Sequence, residues 1–148
     1  MYYRKTWQDK LTGHDQPQVK KADKDFAGIK AGQLMLIPSP LMVDHYIRQI
    51  PKGTNVTMDV LRRDLALENG AEVTCPLTTG MFVRIVAEAA HEAYENGTPL
   101  EEITPFWRVI DENSPAAGKL SFGSEFLIEQ RRAERLLRPA RARTSRVF

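Results

Sequence analysis

The chain has 148 residues, 42% of them hydrophobic and 27% charged, enough for one ordinary domain to bury its core without a disulfide or metal. A single cysteine, Cys75, excludes an internal disulfide, and three scattered histidines (His14, His45 and His91) give no spacing suited to zinc. The net charge is only +2, no apolar run approaches a membrane span and the start lacks a signal-peptide core, so a soluble, cytoplasmic, monomeric protein is expected.

Residues 1–33 alternate charged and polar residues, punctuated by Gly13, Pro17, Gly28 and Gly32, and predict an irregular extension. Leu34-Met35-Leu36-Ile37 predicts a strand. Ser39-Pro40 then supplies an N-cap and a first-turn proline, and Met42, Val43, Tyr46, Ile47 and Ile50 recur at helical spacing up to Pro51-Lys52-Gly53. Thr57 caps a second helix with Asp59 in its first turn and Val60, Leu61 and Leu65 on its apolar face, before Asn69-Gly70 stops it. Residues 71–77 read as a linker. Thr78 or Thr79 then caps the longest helix, which runs to about Tyr94. Its buried stripe is Met81, Phe82, Ile85, Val86, Ala89, Ala90 and Ala93, with Arg84, Glu88, His91, Glu92 and Glu95 facing out. After Asn96-Gly97 and Ile103–Ile110 comes a loop rich in Asn, Ser, Pro, Ala and Gly. A last helix starts near Ser124, holds Phe126, Leu127 and Ile128, and should reach Leu136-Leu137 because Pro139 follows.

Charge is segregated along this order. Residues 1–50 carry eight bases and five acids, residues 51–130 six bases and thirteen acids, and residues 131–148 seven arginines against Glu134 alone. A basic end suits an arm for polyanions or a solvated tail. The division expected is an extension over residues 1–40 packed on a core domain of 41–138, then a basic tail of 139–148. The fold class is mainly α with small β elements.

Two helices joined by a short connection follow the helix-turn-helix order, a weak signal alone. Around it stand Ile50-Pro51-Lys52-Gly53, the Thr57-capped helix, the long helix, Asn96-Gly97, Pro105-Phe106-Trp107-Arg108-Val109 and a closing helix with Ala133-Glu134. Together they resemble the DNA-binding domain of the O6-alkylguanine-DNA alkyltransferases and the alkyltransferase-like proteins, over roughly residues 41–137. Thr74-Cys75-Pro76-Leu77-Thr78-Thr79-Gly80 looks like an uncharacterised branch of that superfamily. The resemblance implies a winged helix-turn-helix of the alkyltransferase C-terminal domain type. It further implies a long helix in the minor groove of double-stranded DNA and a flipped nucleotide in a pocket beside the motif.

The motif itself has changed. Phe106 stands where the enzymes have the nucleophilic cysteine, and Trp107 where they have the proton-relaying histidine. Phenylalanine offers no nucleophilic or titrating atom, so no catalytic residue, and no alkyl transfer, is expected here. Cys75 precedes the long helix beside Pro76 and suits packing. Phe106 and Trp107 either stack on an extruded base, worth ~1–3 kcal/mol, or fill the cavity and plug it. Arg108 suits a structural tie to a carboxylate or carbonyl.

Met58 occupies the position of the family's phosphate-pushing tyrosine. Thr78, Thr79, Gly80, Met81 and Phe82 occupy the stretch of its helix-starting arginine, and Arg84 is the nearest arginine. Thr78, Thr79 and the free N–H groups there suit a phosphate. Asn96 matches the hinge asparagine and equally suits a plain helix stop, whereas Ser121 and Glu134 fall near pocket and bracing positions. The expected DNA contacts are therefore Thr78, Thr79, Gly80, Arg84, Met58, Arg141 and Arg143. The expected base pocket is Phe106, Trp107, Arg108, Asn96 and Ser121, with no metal or cofactor. Two functions fit: non-catalytic binding of DNA, with recognition of a modified or flipped base, or a protein-interaction or small-ligand module that no longer binds DNA. A positive face at Thr78, Thr79 and the tail supports the first, and exposed apolar residues support the second.

Overall fold

In a computed structural model of the chain, which describes residues 5–13 and 16–138, the elements follow from local signals. Thr6 and Asp9 form a reciprocal capping box that starts α1 (Trp7–Thr12). Strands β1 (Gln18–Lys21) and β2 (Leu34–Ile37) pair antiparallel, with Val19 opposite Leu36 and Lys20 opposite Met35. Ser39 caps α2 (Pro40–Arg48) through the Met42 N–H, and Thr57 caps α3 (Met58–Glu68) through the Val60 N–H. The two-residue β3 (Val73–Thr74) then lies parallel to β2 as the far strand of a three-stranded sheet ordered β1-β2-β3. It feeds directly into α4 (Pro76–Glu95), against which α1 and α2 pack. Short 3-10 turns at Leu100–Glu102 and Phe106–Arg108 lead to α5 (Pro115–Gly118) and α6 (Glu125–Ala133).

The result is a helix-dominated domain with a small sheet. Its main core joins Val43 and Ile47 of α2, Leu61 and Leu65 of α3, Val83 and Val86 of α4, and Phe106, Ile110 and Leu127. Each fully buried side chain of this size contributes roughly 1.5–3 kcal/mol. A second cluster, Ala22, Ile29, Met35 and Cys75, lies on the opposite face of β2, so Cys75 packs. Among the described residues no helix is long and apolar enough to cross a membrane.

Several expectations are corrected. The irregular segment 1–33 contains α1 and β1. Six residues are too few for helical periodicity to show, and all four β1 residues are exposed, so no alternation marks the strand. The linker 71–77 contains β3, and α4 begins at Pro76 instead of Thr78, because the proline sets a helical φ at the first turn. Thr79 is wholly buried and its hydroxyl donates to the Cys75 carbonyl (2.6 Å), one turn back. On α4, Met81 is 58% exposed and Glu88 only 2%, the reverse of the expected faces. Ser124 makes no side-chain cap, and α6 stops at Ala133, before a left-handed Arg135 (φ 61°) lets the Leu136 N–H return to the Arg131 carbonyl (2.7 Å).

Candidate functional site

Phe106 has no exposed surface, and Trp107 has 3%. The Phe106 ring is flanked by Trp107, Phe122 and Phe126 at centroid separations of 5.4, 5.8 and 5.9 Å. Phe122 in turn stacks on His91 of α4 at 3.9 Å with parallel planes. This aromatic packing closes off Phe106 itself, while Pro105, Trp107 and Arg108 line a shallow recess of about 370 Å³ with Lys52, Glu101 and Glu134. Trp107 turns its indole N–H to Glu134 (2.8 Å), and Arg108 grips the same carboxylate through Nε and Nη2 (both 2.9 Å) while Nη1 reaches the Ile50 carbonyl (2.7 Å). Burial alone would raise the Glu134 carboxyl. The Arg108 guanidinium, the Gly53 N–H and the Trp107 indole together overcome this and hold it at about 2. Arg108 thus ties the α2–α3 loop to the end of α6.

The other sequence-predicted positions scatter. Ser121 donates its N–H (2.7 Å) and hydroxyl (2.5 Å) to Glu88, which explains how that carboxylate can be buried. Arg84 lies 3.6 Å from Glu88 and sits over the Trp7 ring at 5.4 Å, so its charge already has partners. Asn96 is the exposed C-cap of α4. Thr78 directs its hydroxyl to the Cys75 carbonyl, and Gly80 is exposed beside it. Glu92 accepts the Trp7 and Gln8 N–H groups (3.1 Å each), so α1 is moored across the outer side of α4. Arg141 and Arg143 lie outside the described residues.

An open groove of about 690 Å³ lies elsewhere, between the first turn of α3 and the 109–116 loop, and of the expected contacts it includes Met58. Met58, Val109, Ile110, Pro115 and Ala116 supply apolar surface, whereas Asn55, Thr57, Asp111, Asn113 and Ser114 bring polar atoms. Such a volume and mixture suit a small-molecule ligand. Arg138 completes the lining, clamped by Asp111 (3.5 Å to its guanidinium) and by Glu112, which accepts its N–H (2.7 Å). Burial pushes the Glu112 carboxyl up, but the Arg138 N–H, its own N–H and the Arg131 guanidinium hold it below the usual range. Arg131 is entirely buried and binds Glu112 (2.5 Å), Asn55 (2.9 Å) and the Trp107 and Leu136 carbonyls (2.7 Å each), fixing the floor behind the groove.

Comparison with family models, with curated proteins and with solved structures gives no match. Sequence reasoning missed Asn55, Asp111, Asn113 and Arg138 as groove residues. The available signal was the polar loop after Ile110, since long irregular loops on a rigid scaffold often carry binding residues.

Proposed function

We propose that the chain is a non-catalytic DNA-binding protein, an alkyltransferase-like winged helix-turn-helix domain that holds a modified or flipped base without chemistry. The observation that carries this reading is the groove with Met58 on one wall and Arg138 on another. Residues 139–148 follow Arg138 in sequence and add Arg141, Arg143 and Arg146, charge of the kind that binds phosphates. The closed aromatic packing at Phe106 supports moving the base site from the motif to this groove.

Fluorescence anisotropy with plain and O6-alkylguanine duplexes tests it. The wild-type chain should prefer the alkylated duplex, and Ala116→Trp, which places an indole in the groove, should remove that preference while leaving plain-duplex binding intact. Loss of one stacked base corresponds to ~1–3 kcal/mol. Equal affinity of the wild type for both duplexes, or a preference unmoved by the tryptophan, would overturn the proposal.

A second reading, a protein-interaction module, is favoured by one observation. Leu77 and Met81 are 62% and 58% exposed one turn apart on α4, next to the threonines expected to meet phosphate.

A further inference from the structure

The outer edge of the sheet offers a different kind of surface. All four residues of β1 are exposed, and β1 is the terminal strand in the order β1-β2-β3. The Ala22 N–H donates to the Gln33 carbonyl (2.9 Å) at the end of the hairpin. By antiparallel alternation Gln18 and Lys20 therefore bond inward to β2, while the backbone groups of Val19 and Lys21 point away from it. Among the described residues no backbone bond outside the ladder reaches residues 18–21. Nor does any carboxylate there lie within ion-pair distance of Lys20 or Lys21. Val19, 40% exposed opposite Leu36, adds an apolar foothold between polar neighbours.

We infer that β1 is a docking edge for an extended acidic segment of another protein, which adds to the sheet as a fourth strand. Main-chain bonds to Val19 and Lys21 hold it, an apolar side chain rests beside Val19, and carboxylates on either side face Lys20 and Lys21. Charge decides the occupant. A second copy pairing antiparallel through β1 would crowd four lysines into one short ribbon, and like charges across a pair are destabilising. The chain's own residues 139–148 carry three arginines and no acid, so they are repelled in the same way. Lysines on an edge also block unselective strand pairing, which leaves an acidic strand as the complementary partner.

The full chain is titrated with three fluorescent peptides: one with a single valine flanked on both sides by glutamates, so that carboxylates fall on both faces of the added strand, one with lysine in place of glutamate, and the acidic one N-methylated at alternate backbone nitrogens. The acidic peptide should bind and slow hydrogen exchange at the Val19 and Lys21 amides. The lysine and N-methylated peptides should bind at least about tenfold more weakly, about 1.4 kcal/mol. Exchanging Lys20 and Lys21 for glutamate, in a variant whose fold is checked by circular dichroism, should reverse the preference between the acidic and lysine peptides. Binding that ignores N-methylation would reduce the contact to unspecific ion pairing and overturn the proposal. So would no binding of the acidic peptide, or a dimer seen by sedimentation whose contact protects β1.

Discussion

Glu134 receives the two-pronged Arg108 guanidinium, the Trp107 indole and the Gly53 N–H, and keeps its side chain 5% exposed. A carboxyl held at about 2 in the folded chain, against 4.5 when free, stabilises the fold above the free value and loses that contribution as pH falls toward 2. The shift corresponds to roughly 3–4 kcal/mol at neutral pH. Urea unfolding should therefore show the wild type losing stability between about pH 5 and pH 2, with Glu112 acting in the same direction. Glu134→Gln should be less stable at pH 7 and show a flatter acid limb. A limb as steep as the wild type's would mean that other carboxylates govern acid unfolding.

At the scale of elements, helices with a capping residue and an apolar face were legible in the sequence: Ser39 and Thr57 announce α2 and α3, and the run 34–37 announces β2. What escaped depends on partners distant in the chain. Glu88 reads as a solvated charge until Ser121, 33 residues later, supplies two donors. Likewise α1, capped locally by Thr6 and Asp9, is moored by Glu92, 85 residues beyond Trp7, which accepts the Trp7 and Gln8 N–H groups. The groove was hidden for the same reason, since its walls come from residues 55–58, 109–116 and 138. A helix of six residues is marginal in water, so its stability rests on this mooring. Glu92→Ala should release α1, raising hydrogen exchange over Trp7–Thr12 and shifting Trp7 fluorescence, at a cost of about 1 kcal/mol in global stability. Unchanged exchange there would show that the packing of Trp7 and Leu11 holds α1 without the cap.

Across the whole molecule, charge is divided between an acidic middle and a basic end, and the proposed DNA site lies where they meet. Deleting residues 139–148 removes three arginines. If each engages a phosphate, the log-log salt slope of DNA binding should become shallower by up to about 2.7, with plain and alkylated duplexes weakened alike. An unchanged slope would assign those arginines to some other partner. Arg131 has a consequence for how such a molecule opens. It is the shared donor for Glu112, Asn55, the Trp107 carbonyl and the Leu136 carbonyl, and no solvent reaches it. Freeing any one of these groups leaves donors of a buried cation unmatched, which costs far more than an ordinary surface bond. The aromatic motif, Asn55 of the groove and the C-terminal turn are thereby tied to one buried cation, so they should open together and not one at a time. A ligand of the proposed kind would meet, in Asn55, a groove wall already held in place by a buried cation.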